Sequence, residues 1–407
     1  MLWVLHASQP LTLEQLAEAV AIEHMEDDQW DTSRITDEPS SLIFGCENLV
    51  TCSEQQTLGS WTADKVTLVQ FIHTSVADFF RESPIVMTLP FYPLENVHMS
   101  LAVDCLKYLY MKTKQDSEFY QKIRHSESKT SPFAAYANTG WEQHLRTLKT
   151  VDEDIVQLFR DFMTIPEVLK EYGGGSSLHV ALFLDLPLIA DVLVESESLD
   201  LWSLDETKHT LLHRAALGNL KVLKRVTEKM SQSSSSSSSG IQNSGETNAV
   251  TESSTDKKQQ NKEDSDKVEE EKEPERTLAG YINLPDVTLS TALHYAAYSG
   301  VFEAVELLAG KGADLKARDN RQTTPLHWAA ASAKIEACQS LTFLLERGSE
   351  IEAKDYNNGT ALHWAADHDK LEILLDHKAN VNAAGLTDLT ALHLAAKKGS
   401  LGACQLR

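Results

Sequence analysis

The sequence predicts a mostly α-helical fold in which stacked helix pairs form a solenoid, preceded by two smaller domains. Two observations predict the solenoid. At six places a Thr, once a Ser, lies three residues before a His, and most copies follow each other by about 33 residues. In the four strongest copies two Ala residues come shortly after the His, which allows neighbouring helices to approach closely. A unit of this length buries its apolar face only against its neighbours.

The copies share a Leu before the His and a helix-starting hydroxyl residue. They are Ser176–His179, Thr210–His213, Thr291–His294, Thr324–His327, Thr360–His363 and Thr390–His393. The Thr suits the N-cap of a first helix, and Pro325 suits its first position, where the missing N–H costs nothing. The period and the T-P-L-H-x-A pattern resemble those of ankyrin repeats. We expect two degenerate repeats over 171–230 and four over 278–407, the last one cut short.

One interval between histidines is longer than the others by about one and a half repeats, because residues 231–277 interrupt the second repeat. This insertion opens with a Ser run, and its remainder is rich in Glu, Asp and Lys with almost no large apolar side chain. Such a composition cannot bury enough apolar surface to order itself, which predicts a disordered region. Since loop closure depends weakly on length, we expect the stack to continue across it.

The charge balance argues against a nucleic-acid partner. The chain has a formal net charge of −23, and residues 1–90 carry Lys or Arg only at Arg34, Lys65 and Arg81, against many acidic residues. Phosphate binding requires a basic surface. The five Cys residues show no paired metal-ligand spacing, and Cys338 is expected in a repeat core. With no apolar run long enough to span a membrane, we expect an intracellular, cytoplasmic protein without membrane partners.

Residues 1–90 predict a compact unit of helices and one hairpin. Thr12 and Gln15 form a capping-box pattern ahead of an apolar helical face. A second helix is predicted over Ser40–Asn48, followed by strands over Leu49–Cys52 and Val66–Phe71 and a short helix over Ile72–Phe80. This order is that of a winged-helix domain.

Residues 91–170 predict a helical linker. Apolar side chains recur every four residues from Val97 through Leu101 and Cys105 to Leu109, which defines one buried helical face. A second apolar segment begins at Ser131-Pro132 and contains several aromatic residues, which are interpreted as packing anchors.

Four stretches together resemble one family. They are Gln9–Ala19, Phe71–Phe79, His98–Leu106 and Pro132–His144. In their order they are similar to the winged-helix and linker region of fungal NACHT–ankyrin proteins, whose winged helix shares its domain name with GPI inositol-deacylase. The resemblance implies a NOD-like signal-transduction protein in which a NACHT ATPase switches and the ankyrin repeats sense a partner.

The chain departs from that family in one respect. No G-x-x-x-x-G-K-[ST] motif occurs in the sequence, so nucleotide hydrolysis cannot be transferred to it. We interpret the chain as a fragment, a truncated gene product or a paralogue without the motor. The shared domain name does not imply deacylase activity, because it refers to the winged helix alone.

The partner-binding surface is expected on the β-turn fingers and on the inner face of the first helices. The candidates are Tyr298, Arg318, Asn320, Arg321, Tyr356, Asn357, His368, Leu386, Asp388 and Lys398, with Tyr356 and Arg321 the leading pair. Tyr295, Trp328 and Trp364 directly follow the repeat histidines. They form either an aromatic binding stripe or, as the simpler interpretation, part of the helix core.

These observations predict a non-enzymatic protein–protein interaction module, the sensor part of a NACHT-type signalling protein, with no catalytic residues, cofactor or metal. The repeat histidines are interpreted as hydrogen-bonding turn residues, because copies one repeat apart lie too far from each other to share an ion. One alternative is a stand-alone ankyrin adaptor. A second is a winged-helix DNA-binding regulator, which the acidic N-terminal segment disfavours.

Overall fold

The computed structural model describes residues 2–23, 50–56, 65–71, 97–124, 132–196, 199–236, 276–365, 370–385 and 388–398. The fold is mostly helical, as predicted. The chain divides into two compact units, residues 1–207 and 208–407. The predicted first repeat therefore belongs to the same unit as the linker helices.

The N-terminal part of the first unit contains a small antiparallel sheet. Its elements are α1 (Leu2–His6), β1 (Leu11–Thr12), α2 (Leu13–Glu23), β2 (Val50–Gln56) and β3 (Lys65–Phe71). The strands lie in the order β1-β3-β2, with Leu11 and Cys52 flanking Val69. The capping box is confirmed, since the Thr12 N–H donates to Gln15 Oε1 at 2.8 Å and the Gln15 N–H donates to Thr12 Oγ1 at 3.2 Å.

Several boundaries differ from the sequence prediction here. β1 was not expected, because two residues are too few to show an alternating pattern. β2 extends to Gln56, beyond the predicted end at Cys52, since polar residues continue the ladder to β3. The predicted helices over 40–48 and 72–80 lie outside the described residues.

In the part of the linker region that the structure describes, there are five helices. They are α3 (Val97–Gln115), α4 (Phe119–Arg124), α5 (Pro132–Thr147), α6 (Glu153–Met163) and α7 (Pro166–Glu171). The predicted face of α3 is buried from Val97 to Leu109, and residues on its other sides are buried as well. This helix therefore lies in the middle of the unit, packed chiefly against α5.

The aromatic residues of α5 are packing anchors, as predicted. Phe133, Tyr136 and Trp141 are fully buried, and the ring of Trp3 meets Phe133 edge-on with centroids 5.3 Å apart. The Phe133 N–H at the start of α5 donates to the buried Glu18 carboxylate at 2.7 Å. A charged hydrogen bond therefore fixes α2 to the N-terminus of α5, where a negative charge is favoured.

The first predicted repeat consists of α8 (Ser177–Phe183) and α9 (Pro187–Leu193). Both helices pack against α6. The Arg146 guanidinium of α5 donates to the Leu184 carbonyl at the end of α8, at 3.0 Å. The linker helices therefore cover one side of this helix pair.

The second unit is a ladder of helix pairs. Its helices are α10 (Leu211–Ala216), α11 (Leu220–Ser236), α12 (Leu278–Ile282), α13 (Ala292–Ser299), α14 (Phe302–Gly310), α15 (Pro325–Ala331), α16 (Ala337–Glu346), α17 (Ala361–Ala365), α18 (Leu371–Asp376) and α19 (Ala391–Lys398). The first helices pack in the order α10-α13-α15-α17-α19, and the second helices stack behind them. Ala296, Ala329 and Ala365 are fully buried where the first helices meet.

The stack continues across the insertion, with one difference from the prediction. Helix α11 runs to Ser236, past residue 231 where disorder was expected to begin. The Ser231 and Ser233 hydroxyls donate back to carbonyls of the preceding turn at 2.7 and 3.0 Å, so both side chains find acceptors within the helix. Beyond the insertion α13 packs directly on α10.

Cys338 corrects a further expectation. Its side chain is partly exposed rather than a core residue, because it lies at the first turn of α16, next to the buried Ala337.

Candidate functional site

Four of the repeat histidines each connect one repeat to the next. Nδ1 of His294 accepts the Thr291 N–H at 3.1 Å and lies 3.0 Å from the Thr291 hydroxyl oxygen, at the start of α13. Its Nε2 lies 3.2 Å from the carbonyl oxygen of Thr323, the residue before the next repeat's Thr. Because Nδ1 accepts a backbone N–H, the neutral ring carries its proton on Nε2 and donates it to that carbonyl.

The same bond recurs along the array. Nε2 bonds a carbonyl oxygen from His213 to Ser290 at 3.1 Å, from His327 to Gly359 at 3.3 Å and from His363 to Leu389 at 3.1 Å. Burial lowers the pKa of His294 and of His327, which keeps these rings neutral. The interpretation of these histidines as hydrogen-bonding turn residues is confirmed.

An Asp organises each of three finger loops, residues 283–290, 311–323 and 347–359. In the middle loop Asp319 Oδ1 accepts the N–H groups of Arg321 at 2.9 Å and Thr323 at 2.7 Å. Asp286 and Asp355 make the equivalent pair of bonds in their own loops. Each Asp lies five residues before a repeat Thr, a signal that the sequence analysis missed.

The second oxygen of each Asp binds the aromatic residue that follows the histidine. The Tyr295 hydroxyl donates to Asp286 at 2.6 Å, Trp328 Nε1 donates to Asp319 at 3.2 Å, and Trp364 Nε1 donates to Asp355 at 2.8 Å. These three aromatic side chains are partly exposed. The expectation that they lie in the helix core is therefore wrong, because their polar edges need the finger carboxylates as partners.

Two further bonds hold neighbouring fingers together. The Asn320 N–H donates to the Thr288 carbonyl at 2.8 Å, and the Tyr356 N–H donates to the Arg321 carbonyl at 2.8 Å. Arg318 donates from one guanidinium nitrogen to the Lys354 carbonyl of the next finger at 2.8 Å. The fingers therefore form one hydrogen-bonded surface rather than independent loops.

A cavity of about 370 Å³ lies between these fingers and the first helices, and we call it the finger groove. Its lining combines aromatic side chains, one cation and several hydroxyl or amide groups. The lining residues are Thr288, Ser290, Tyr295, Tyr298, Asp319, Asn320, Arg321, Thr323, Trp328, Ala331 and Trp364. Tyr295 and Tyr298 both meet Trp328 edge-on, with centroids 5.4 and 6.0 Å away.

The predicted partner-binding residues divide into three groups. Tyr298, Asn320 and Arg321 line the groove, which also contains Tyr295, Trp328 and Trp364, the residues of the alternative aromatic stripe. Tyr356, Asn357 and Asp388 are exposed on the fingers but do not line the groove, and Arg318 is engaged in joining two fingers.

The remaining candidates are less fully described. His368 and Leu386 lie outside the described residues, and Lys398 is the last residue of α19, with its side chain outside the description.

Comparison with known protein families identifies the C-terminal repeats. A model of ankyrin repeats matches residues 276–355 and 333–406, in three copies. The C-terminal part of this chain consists of ankyrin repeats. No match was found among curated proteins. In the part of the chain that the structure describes, no helix is both long and apolar enough to cross a membrane.

Proposed function

We propose that the ankyrin repeats are a non-catalytic protein–protein interaction module and that the finger groove is its binding site. The groove carries the proposal, because it presents four aromatic residues and an Arg on a surface that hydrogen bonds hold in place. Aromatic and Arg side chains supply most of the energy at protein interfaces. Ankyrin repeats in general bind other proteins, which agrees with this assignment.

The broader context is also a proposal: the chain is the sensor part of a NACHT-type signalling protein of the cytoplasm. In the first unit, β1 precedes α2, β2 and β3 follow, and β3 is the central strand. This topology agrees with a winged helix ahead of a helical linker. An in-frame upstream segment with G-x-x-x-x-G-K-[ST] in the full-length transcript would support this context, and a transcript without one would favour the stand-alone adaptor.

Photo-crosslinking tests the binding site. A benzophenone amino acid at Tyr298, exposed beside Trp328, is expected to capture a protein partner from an extract of the native cell. The same amino acid at Glu306, exposed on α14 away from the groove lining, is the control. Substitution Arg321→Ala should reduce the Tyr298 adduct, since truncating an interface anchor costs about 1–2 kcal/mol. Equal capture at both positions would contradict the assignment.

A DNA-binding role for the N-terminal unit is the weaker alternative. The sheet topology allows a winged helix, but the acidic excess over residues 1–90 opposes phosphate binding. Retention of labelled duplex DNA on a filter at low salt would revive this alternative, and the proposal expects none.

A further inference from the structure

The finger groove contains one carboxylate, and its hydrogen-bonding capacity is used up. Asp319 Oδ1 accepts the N–H groups of Arg321 and Thr323, and Oδ2 accepts the Thr323 hydroxyl and Trp328 Nε1. A carboxylate offers about four acceptor positions. Asp319 therefore has no acceptor position left for a ligand, and a cationic ligand would lack a charged hydrogen-bond partner in this groove.

Among the described residues that line the groove, the cation is Arg321, and its backbone is held in place. The Arg321 backbone is fixed at both ends, since its N–H donates to Asp319 and its carbonyl accepts the Tyr356 N–H of the next finger. Among the described residues its guanidinium makes no hydrogen bond or ion pair, whereas that of Arg318 is engaged by two carbonyl groups. A guanidinium offers five N–H donors and suits a planar carboxylate.

The aromatic residues supply an apolar surface beside that cation. The polar edges of Tyr295, Trp328 and Trp364 point to the finger carboxylates. About half of the Tyr298 side chain is exposed next to Trp328. The volume of about 370 Å³ is near the lower end for ligand pockets and suits the side chains of a bound peptide.

We propose that the finger groove recognises an extended acidic segment of a protein partner. An Asp or Glu side chain of that segment pairs with Arg321, and an adjacent aromatic or aliphatic side chain packs on Tyr298, Trp328 and Trp364. The unused donors select this occupant, because the Arg321 guanidinium is a cation with hydrogen-bonding capacity left, whereas the acceptor positions of the Asp319 carboxylate are filled. This inference rests on the proposed function and specifies the chemistry of its partner.

Selection from a random-peptide display library on the full chain tests the proposal. The expected peptides contain Asp or Glu next to a large apolar residue. Substitution Trp328→Phe, which removes the indole, should weaken the binding of these peptides. Selection on Arg321→Gln should lose the acidic preference but keep the apolar one. Lys316→Gln is the matched control, because it removes one exposed positive charge of the same finger outside the groove lining.

A double-mutant cycle identifies the contact itself. In one variant the acidic residue of a selected peptide is changed to its amide, and in the other Arg321 is changed to Gln. Each change alone should weaken binding about tenfold, and the two changes together should weaken it little more than either one. Additive effects, or selected peptides rich in Lys and Arg, would overturn the inference. Peptides that depend on the groove but show no acidic preference would refute the inference and leave the proposed function intact. Peptide enrichment no greater than on an unrelated bait would count against both the inference and the proposed function.

Discussion

In four repeats the imidazole that follows the Thr acts as a connector, because it is bonded to its own Thr on one side and to a carbonyl of the next repeat on the other. In His327 the ring accepts the Thr324 N–H through Nδ1 at 3.2 Å and reaches the Gly359 carbonyl through Nε2 at 3.3 Å. The ring is fully buried, so no water can replace either bond. One side chain thus closes its own helix N-terminus and fixes the next finger.

Substitution His327→Ala should therefore lower the free energy of unfolding by about 2–4 kcal/mol, since it leaves a cavity and an unsatisfied Thr324 N–H and reduces the Gly359 carbonyl to its bond from the Asp355 N–H. Urea denaturation of the full chain measures the loss. The control is His393→Ala, whose exposed ring bonds only to its own Thr390 among the described residues and should cost less than about 1 kcal/mol. Equal losses would show that the bond to the next repeat contributes nothing.

A second group of neutral histidines lies in the first unit. His144 Nε2 lies 2.9 Å from the Tyr136 hydroxyl, and its Nδ1 lies 3.0 Å from Nδ1 of His98. The Tyr136 oxygen also accepts the Ser8 N–H at 3.1 Å. Burial, reinforced by His98 and His6, lowers the pKa of His144 to about 4, and burial also lowers the pKa of His98.

This pKa predicts acid sensitivity of the first unit. The unfolded chain binds a proton at His144 near pH 6.5 and the folded chain only near pH 4, so stability is full above pH 6.5 and falls as the pH drops through that window. Between pH 7 and pH 5 the loss from His144 should reach about 2 kcal/mol. Denaturation of the first unit at both pH values, in the wild type and in His144→Gln, measures this loss of stability. A wild-type loss no larger than that of the variant would be inconsistent with a buried neutral ring.

The finger loop is the element in which sequence reasoning was least complete. The repeat period and the Thr–His pair were sufficient to predict the helix pairs and their N-terminal caps. They did not show that Asp286, Asp319 and Asp355 organise the loops or bind the aromatic residues. In the sequence, an aromatic residue on an apolar helix fits a buried core position as well as a half-exposed one. Only the position of the adjacent finger shows that the polar edge of the ring binds a carboxylate outside the helix core.

Asp319 should accordingly be critical for its finger. Substitution Asp319→Ala removes the acceptor of the buried Thr323 N–H and one of the two acceptors of the Trp328 indole N–H, which keeps only the Thr323 hydroxyl oxygen. We expect a loss of about 2–4 kcal/mol in unfolding free energy. Asp314→Ala in the same loop is the control. That exposed carboxylate accepts only the Lys316 N–H among the described residues, so the variant should lose less than about 1 kcal/mol. Similar losses in both variants would mean that the finger does not depend on the buried carboxylate.

At the scale of the whole molecule, the stack of helix pairs is continuous across a long insertion. His213 bonds the Ser290 carbonyl, and His209 lies 3.2 Å from the Asp286 carboxylate, although residues 237–275 separate the partners in sequence. Burial would raise the pKa of Asp286, but hydrogen bonds from His209, Thr288, Tyr295 and Ser290 hold it below its usual range. The period predicted this continuity, while the low-complexity composition of residues 231–236 did not show that α11 continues through them.

Replacing residues 237–275 by a Gly/Ser linker of about six residues should leave the thermal unfolding midpoint of the second unit within a few degrees, since loop length enters closure entropy only logarithmically. Circular dichroism of the two proteins measures the midpoint. The replacement begins after Ser236, so α11 is kept whole. Loss of the helical signal would mean that the insertion supports the stack.

The central claim is that the finger groove is the binding surface, and fluorotryptophan NMR tests it most directly. A partner captured at Tyr298 is added to the full chain carrying fluorinated indoles. The resonances of Trp328 and Trp364, which line the groove, should shift, while that of Trp141, fully buried in the first unit, should stay in place. Unchanged Trp328 and Trp364 resonances with a saturating partner would contradict the claim.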